Sequence, residues 1–557
     1  MTERMRVGLL LAVAIIVYLN ALPNGFTFDD SFYVLNNPAV VTVSLGGLFQ
    51  PTRNNVFRPT TMASFALNWA AAGARPFGFH LVNVLLHAGA VVLLYLVLGI
   101  LLESVPHGTI IAFATALLFA VHPLHTEAVA SIAARSELLA AGLLLAAWFV
   151  HLNDKPISAL LCFLLALLSK ESAVTFVVLV LAGDYARGKW KAAWRYGSIA
   201  GLAGLYLVLF WRIEGGRFGE RDVFFLDNPL ASFPTQLRIL NAFRIAWKYV
   251  ALLVYPATLS YDYSYNAIRL YATWRHAAIA VVATLAVVAV WIWAARNRRN
   301  AWFMAGAIYF GSFASTANLL IPTGTVMGER LAYLPSAGFC LLVALIWSQL
   351  VIRRSTVGWA VLGIIMAGLS VRTMIRNQDW KNNFTLFYAG VQAVPGSARA
   401  HRNLADEYVR RGQLEEAARE FQNALRIYPE YPEAVENYGL AEARMGNAQE
   451  ARKLLETAVS LTSKVSPDYT LMKVNLARHL MTLGQMEDAL KLLNEAIAAS
   501  PGYALAWSSR AVIRYQRGEI PSARSDAETA LRLDRSNSQA LALLDNLNAP
   551  AGATSTR

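Results

Sequence analysis

Apolar runs alternate with short polar connections over the first 380 residues of the chain. An α-helix needs about 20 apolar residues to cross the hydrocarbon core of a bilayer. The pattern predicts eleven membrane helices, two of them from the run 157–181. The runs are residues 7–22, 80–102, 109–121, 138–152, 157–181, 197–211, 277–295, 301–321, 331–351 and 357–371.

The run 157–181 has two interpretations because Lys170 and Glu171 interrupt it. It forms either one span or two short helices of about 18 Å each that turn at Lys170. A turn at membrane depth requires a cavity lined by protein. Basic loops favour the cytoplasm, and only the two-helix interpretation puts residues 187–195 on the same side as Arg4 and Arg6.

Two further helices are expected to lie in the membrane interface. Residues 60–72 are amphipathic, and residues 234–255 carry Arg238, Arg244 and Lys248 at near-helical spacing. If the second of these crossed the membrane, the basic clusters after it would face outside. The preferred arrangement places the N-terminus in the cytoplasm and the chain after residue 380 outside it. That compartment is the periplasm in a bacterium or the lumen of the endoplasmic reticulum in a eukaryote.

The chain after Ala398 carries a fourfold repeat. Gly412, Gly446, Gly484 and Gly518 each precede an alanine by five residues and recur at intervals of 34, 38 and 34 residues. This period is typical of the tetratricopeptide repeat (TPR), a pair of helices. The longer interval predicts one extra turn in the second helix of the second repeat.

Pro429, Pro467 and Pro501 follow three of the repeat glycines and are expected to end the second helices. The predicted fold is all-α: a polytopic membrane protein followed by a TPR α-solenoid. The predicted domains are a membrane domain at 1–380, a linker at 381–397, four repeats with a capping helix at 398–548, and a disordered tail at 549–557.

The composition agrees with an integral membrane protein, since the 557 residues are 56% hydrophobic and 15% charged, with a mean hydropathy of +0.40. Much of the net charge of +13 lies in short loops between apolar runs, so no nucleic-acid partner is implied. Cys162 and Cys340 lie in apolar runs and predict no disulfide framework. The first run is interpreted as an uncleaved anchor, with a signal peptide cleaved near Asn20 as the alternative.

Ionisable side chains recur at the predicted outer ends of the apolar runs. Charge at membrane depth is costly and therefore marks candidate functional residues. These residues are Asp29, Asp30, Arg58, His80, His122, His125, Glu127, Arg135, Lys170, Glu171, Glu329 and Arg330.

Several of these residues also have structural interpretations. Asp29 or Asp30 would cap a short helix, Arg58 would bind lipid headgroups, and Lys170 with Glu171 would form an ion pair, although neighbours pair badly on a helix. His122, which precedes a proline at a helix end, would satisfy backbone carbonyls. A metal site is a further alternative, built from His122, His125 and Glu127; these three residues stand close together in the sequence.

A mixed acid and base constellation suits a lipid-borne anionic substrate. Lys170 and Arg330 are expected to hold a phosphate, and Asp29 is expected to take a proton from an attacking hydroxyl. If residues 26–31 are extended, the neighbouring Asp30 points the other way.

Several of these residues lie in motifs that resemble a known family, the transmembrane and TPR-containing O-mannosyltransferases. The resemblance runs in order along nearly the whole chain. The motifs are Phe28-Asp29-Asp30, Asn37-Pro38, Arg58-Pro59-Thr60, residues 78–87, residues 119–129, Ser169-Lys170-Glu171, residues 259–263, residues 329–340 and residues 372–380.

The resemblance implies a GT-C glycosyltransferase fold and transfer of mannose from a polyprenyl-phosphate donor to a Ser or Thr hydroxyl outside the cytoplasm. By that analogy Asp29 is the catalytic base, with Asp30 beside it. The candidate donor-binding residues are Arg58, His80, His122, His125, Glu127, Arg135, Lys170, Glu171 and Arg330.

Ser136-Glu137 departs from the pattern expected of the family, which weakens a role for Glu137. The array of four repeats is also short for the family.

The expected partners are the lipid-linked sugar, membrane lipids and an acceptor protein or peptide in the groove of the repeats. No cofactor is certain, and a divalent cation is left open. A transferase acting on a lipid or polysaccharide is the first alternative. A transporter and a membrane-anchored TPR scaffold are the others. No inverted repeat supports a transporter, and a scaffold needs one span rather than eleven.

Overall fold

The computed structural model describes residues 1–51, 56–213, 224–271, 273–319, 322–464 and 466–548. The chain forms two compact units, Met1–Ser397 and Ala398–Arg557. The described residues contain helices and no β-strand, which confirms the all-α fold class. The predicted tail at 549–557 lies outside the described residues.

Seventeen α-helices lie within the described residues of the first unit. They are α1 (Glu3–Ile16), α2 (Pro38–Val41), α3 (Leu45–Leu48), α4 (Pro59–Ala72), α5 (Pro76–Leu101), α6 (Gly108–Val121), α7 (Thr126–Ala130), α8 (Arg135–Leu152), α9 (Pro156–Leu167), α10 (Phe176–Arg187), α11 (Ala193–Ile213), α12 (Thr235–Val254), α13 (Trp274–Arg296), α14 (Asn300–Phe313), α15 (Pro335–Arg353), α16 (Ser355–Asp379) and α17 (Asn383–Ala393).

Each apolar run of the sequence contains a helix, but the helices differ in length. Among the described residues, seven are long and apolar enough to cross a membrane, or eight if the bent pair Gly108–Val121 and Pro123–Ala130 forms one span. The helices α9, α10 and α14 have only 12, 12 and 14 residues. The eleven helical segments are therefore present, while eleven complete crossings stay a prediction.

Several helix termini meet at one end of the first unit, which we call the basic end. His151 of α8 lies 2.9 Å from Asp184 of α10, and Tyr196 of α11 donates a hydrogen bond to the same Asp184 oxygen at 2.8 Å. Asn300 at the start of α14 donates to the carbonyl of Ala186. The basic loops 187–195 and 296–299 adjoin these termini, as the charge pattern requires for one common side.

The break between α9 and α10 lies at the other end of the unit. The backbone N–H of Thr60 donates to the Leu168 carbonyl at 3.1 Å, and the Thr61 hydroxyl donates to the Ser169 carbonyl at 3.0 Å. α9 therefore leads from the basic end to the start of α4, and α10 leads back. The two-helix interpretation of residues 157–181 is confirmed, and the single-span alternative is wrong.

α12 is the segment whose crossing of the membrane the sequence left open. Although 20 residues long, it is not among the helices apolar enough to span. Asn241, Ile245, Tyr249 and Leu252 are buried and recur at helical spacing, so one face packs on the unit. Its position in the interface stays a prediction.

Residues 381–397, predicted as a linker, contain a helix. α17 begins with a capping box in which the side chains of Asn382 and Thr385 bond each other's backbone N–H. The helix belongs to the first unit, which ends at Ser397.

The described residues of the second unit form four helix pairs and a single final helix. They are α18 (Ala398–Arg410), α19 (Leu414–Ile427), α20 (Pro432–Arg444), α21 (Ala448–Leu461), α22 (Pro467–Thr482), α23 (Met486–Ala499), α24 (Ala504–Gln516), α25 (Ile520–Leu533) and α26 (Ser538–Asn548). All four repeat glycines have positive φ angles, between +73° and +87°, at the turn inside each pair.

Two details of the repeats differ from expectation. α21 has 14 residues, like α19, so the second helix of the second repeat is not longer. The additional residues instead lengthen α22, which has 16 residues against 13 in α20, and the connection before it. Pro467 begins α22 and does not end α21, because the first turn of a helix needs no N–H at that position.

The predicted sidedness can be tested with Arg298→Cys and Gln392→Cys, both at exposed positions, in a chain without Cys162 and Cys340. Arg298 follows α13 at a basic loop and Gln392 lies on α17. We expect an impermeant maleimide added outside intact cells to label only the Gln392→Cys chain. Labelling of the Arg298→Cys chain alone would contradict the arrangement.

Candidate functional site

Loop 1, residues 22–58, places the two neighbouring aspartates in different environments. Asp30 is fully buried: one carboxylate oxygen accepts the Thr27 N–H at 2.9 Å and the other accepts the Ala133 N–H at 2.7 Å. Asp29 is only half-buried. The expectation of an extended segment is wrong from Phe28 onwards, because residues 28–30 form a turn that aims the Asp30 carboxylate at these two N–H groups.

Charged groups from distant parts of the chain act on loop 1. Burial raises the pKa of Tyr33, the charges of Arg58 and Arg330 lower it, and those of Asp29 and Glu171 raise it. Asp29 also raises the pKa of Arg330. These charges are therefore near enough to loop 1 to interact with it, and we call this group of residues the charged site.

Three cation–carboxylate pairs form the walls of this site. They are Lys170–Glu137, Arg58–Glu171 and Arg330–Glu127.

Arg58 binds Glu171 through two nitrogens at 2.8 and 3.2 Å, a bidentate arrangement. Glu127, buried, accepts both the Arg330 guanidinium and the Arg330 backbone N–H. Each cation thus holds a carboxylate from another element.

Lys170 and Glu171 do not pair with each other, in agreement with the poor pairing expected of neighbouring residues. The partner of Lys170 is Glu137, with the two side chains only 6% and 10% exposed. The sequence departure at Ser136-Glu137 had weakened a role for Glu137, and the structure instead makes Glu137 the counter-ion of Lys170. No spacing rule in the sequence connects the two, because α8 and the α9–α10 break meet only in the folded chain.

A cleft begins at Glu137 and runs between α8, the segment after Lys170, α14 and α15. Its polar walls are Glu137, Ser172, Thr175, Ser312 and Thr316, and its apolar walls are Ala140, Ala141, Leu144, Leu331, Leu334 and Pro335. Glu137 therefore belongs both to the ion pair with Lys170 and to the wall of this cleft.

The candidate histidines bind backbone or hydroxyl groups. His122 donates to the Leu253 carbonyl at 3.0 Å and accepts the Leu124 N–H, which confirms the structural interpretation of this residue. His80 lies 3.4 Å from the Gly25 carbonyl, and His125 lies 2.7 Å from the Ser336 hydroxyl. Within the ranges that the structure describes, no three His, Cys, Asp or Glu side chains converge as a metal would require.

Arg135, also a donor-binding candidate, is committed to structural contacts. Its guanidinium donates to the Asn83 side chain at 2.7 Å and to the Phe79 carbonyl at 2.9 Å, and it stacks over the ring of Phe65. The side chain is completely buried. The geometry thus favours a role in fixing α8 against α4 and α5.

A second polar network surrounds Glu329. Two of its members, Ser260 and Tyr263, lie in the motif at residues 259–263, which the sequence singled out only through its resemblance to the family. One oxygen of this buried carboxylate accepts the Ser260 N–H at 2.6 Å and the Tyr263 hydroxyl at 2.7 Å. Arg376 lies 3.9 Å from the other oxygen. The network fixes the residue before Arg330.

Burial raises the pKa of Glu329 to about 7, although Arg376 opposes the shift. The carboxyl of an unfolded chain ionises near pH 4.3, so between about 4.3 and 7 the folded chain binds more protons. Stability should therefore fall as pH rises through this interval and level off above it. The melting temperature in detergent, measured as a function of pH, tests this expectation. Glu329→Gln should reduce the slope of the melting temperature against pH, and an unchanged slope would contradict the role of Glu329. Asp30, with a pKa also raised to about 7 by burial, leaves a residual slope.

Together these features define the class: a polytopic α-helical membrane protein with a charged cleft at one end of its helices and a TPR array after them. Residues 224–291 match the family described as "Protein O-mannosyl-transferase TMTC, DUF1736", and residues 402–465 and 443–513 match tetratricopeptide repeats. The first match includes Ser260 and Tyr263, the partners of Glu329.

Individual relatives extend the similarity to both units. The chain is 30% identical to "Protein O-mannosyl-transferase F38B6.6" of Caenorhabditis elegans over 76% of its length and 63% of the relative. It is 27% identical to human "Protein O-mannosyl-transferase TMTC3" over 95% of its length and 64% of the relative. The resemblance seen in the sequence is confirmed, and the chain is TMTC-like. It spans a little under two thirds of these relatives.

Proposed function

We propose that the chain is a membrane glycosyltransferase that moves mannose from a polyprenyl-phosphate donor to Ser or Thr hydroxyls of proteins outside the cytoplasm. The observation that carries the proposal is the group of three cation–carboxylate pairs, one of which, Lys170–Glu137, adjoins a cleft with apolar walls. The names of the relatives support protein O-mannosylation.

The walls of the cleft combine charged and apolar side chains, the two kinds of surface that a donor with a charged head and an apolar tail contacts. Leu144, Leu331 and Leu334 offer apolar surface for isoprenyl units, while Lys170 and Arg330 lie on the charged side. Phosphate oxygens would share these cations with Glu137 and Glu127. A preorganised positive field at a departing phosphate is a large contribution to group transfer.

Asp29 supplies the base. In the transfer, the acceptor oxygen forms a bond to the anomeric carbon of mannose, and the bond from that carbon to the phosphate oxygen breaks. The acceptor proton passes to the Asp29 carboxylate, and the polyprenyl phosphate leaves with the bonding electrons. Burial lowers the pKa of Arg330, but Glu127, Asp29 and Glu137 raise it above its usual value, so Arg330 stays a cation that interacts with the Asp29 carboxylate.

The test uses the full chain in liposomes with polyprenyl-phosphate mannose labelled in the sugar and a Ser/Thr-rich protein acceptor. We expect label in the acceptor and release of polyprenyl phosphate, with GDP-mannose giving none. Parallel reactions with EDTA and with added Mg²⁺ show whether a divalent cation takes part. Label in lipid or polysaccharide instead would favour the alternative transferase, and no label in any acceptor would overturn the proposal.

The TPR array is proposed to select the acceptor, because the ionisable groups of the site lie before it in the chain. A chain ending at Ser397 keeps α17 and its contacts with loop 1. We expect it to retain transfer to a short peptide and lose transfer to a folded protein acceptor. Equal losses for both acceptors in a well-folded truncated chain would contradict this division of roles.

A further inference from the structure

Loop 1 is attached to the segment that follows the last long helix. Asn383, the first residue of α17, accepts a hydrogen bond from the backbone N–H of Phe28 at 2.8 Å. The Gly25 N–H donates to the carbonyl of Lys381 at 3.0 Å. The turn that carries Asp29 is therefore held by residues more than 350 positions away in the sequence.

Phe28 needs such support because its backbone is left-handed, with φ at +47°. A residue with a Cβ avoids this region unless its surroundings impose it. The Phe28 ring packs edge-on against Tyr261 and Phe387, with centroid distances of 5.2 and 6.1 Å. Two residues of α17 therefore hold Phe28: Asn383 binds its backbone N–H, and Phe387 packs against its ring.

α17 is itself closely docked. A Cβ at Gly390 would lie 2.4 Å from the Tyr261 ring, so only glycine permits this approach. The capping box of Asn382 and Thr385 fixes the first turn of the helix. α17 is therefore a firm platform for the turn at Phe28.

We propose that Asn383 is a positioning residue for proton transfer: by holding the Phe28 N–H it sets the direction of the Asp29 carboxylate. The inference rests on the proposed function, in which Asp29 accepts the proton of the attacking hydroxyl. The residue after Asp29, Asp30, is held by the backbone N–H groups of Thr27 and Ala133. Asp29 therefore stands between two residues that are both fixed, and its charge interacts with that of Arg330.

A base must stay within hydrogen-bond reach of the proton it takes. A displacement of about 1 Å costs on the order of 100-fold in rate. Asn383→Ala removes the acceptor for the Phe28 N–H and allows the turn to relax. We expect kcat to fall about 10- to 100-fold, with the KM values for donor and acceptor unchanged.

Two variants separate positioning from simple stability. Asn383→Asp keeps a side-chain oxygen for the Phe28 N–H and should recover most of kcat. In the neighbouring Asn382→Ala, α17 loses the cap that accepts the Thr385 N–H, while the bond from the Phe28 N–H to Asn383 is kept; this variant should lower the melting temperature and reduce kcat less than Asn383→Ala does. Hydrogen exchange at the Phe28 amide should quicken in Asn383→Ala and return to the wild-type rate in Asn383→Asp.

The outcomes distinguish this inference from the proposed function. If the wild-type chain is active and Asn383→Ala matches it, or if Asn383→Asp is no better than Asn383→Ala, the positioning role is wrong. Faster exchange at Phe28 without loss of kcat would also overturn it. A wild-type chain that transfers no sugar would overturn the proposed function and the positioning role together, even if Asn383 holds the loop.

Discussion

Asp29→Asn is expected to abolish most sugar transfer while leaving the fold and donor binding intact. A hydroxyl is a weak nucleophile near neutral pH, and a positioned base contributes about 10²–10⁴-fold to the rate. The asparagine side chain has the same size but takes up no proton. Because the anchoring contacts of its neighbours Phe28 and Asp30 remain in this variant, the loss should appear more in kcat than in the melting temperature.

Asp30→Asn is the matched control one residue away. The Asp30 carboxylate accepts one backbone N–H at each oxygen, and an asparagine amide would turn a donor towards one of them. Leaving a buried donor unsatisfied costs about 1–3 kcal/mol. This variant should therefore lose stability more than intrinsic turnover. Near-wild-type transfer by a folded Asp29→Asn chain would show that the base lies elsewhere, with Glu127 and Glu171 as the next residues to test.

Glu137→Gln should be the most destabilising single change at the site. It leaves Lys170 buried without its counter-charge, and breaking a buried pair costs about 3–5 kcal/mol. The double variant Glu137→Gln with Lys170→Met removes both charges and should regain much of the stability. If Lys170 binds the donor phosphate, the double variant should have a lowered affinity for the lipid-linked donor even though its stability is regained. Melting in detergent and binding of polyprenyl phosphate to the full chain measure the two effects separately.

The Arg58–Glu171 pair provides the comparison, since its side chains are 18% and 36% exposed. A more exposed pair contributes less to stability, so Glu171→Gln should lower the melting temperature less than Glu137→Gln. Donor affinity at the wild-type level in the Lys170 double variant would show that Lys170 only neutralises Glu137. Equal destabilisation by the two glutamine variants would contradict the burial argument.

The break at Lys170 shows which features the pattern of charges along the sequence predicts and which it does not. Basic loops identified two short helices in residues 157–181 because orientation depends on charge along the sequence, and the structure has α9 and α10 there. Neighbouring residues in the sequence did not reveal which carboxylate each cation would meet. Lys170 pairs with a residue 33 positions earlier and Arg58 with one 113 positions later.

The repeats show a similar division. Their number, spacing and capping helix at Ser538–Asn548 follow from the periodic glycines and alanines. The placement of the four additional residues did not, because a longer connection and a longer helix satisfy the same spacing. The structure puts them before and within the start of α22.

The sequence by itself determined the all-helical class, the apolar helices, the TPR array and the resemblance to the O-mannosyltransferases, because these depend on local composition and periodicity. Only the tertiary structure decided the partners of the buried charges, the turn at Phe28 and its support by Asn383. Those contacts join elements far apart in the chain, and burial makes each charge take whichever opposite charge the packing brings near.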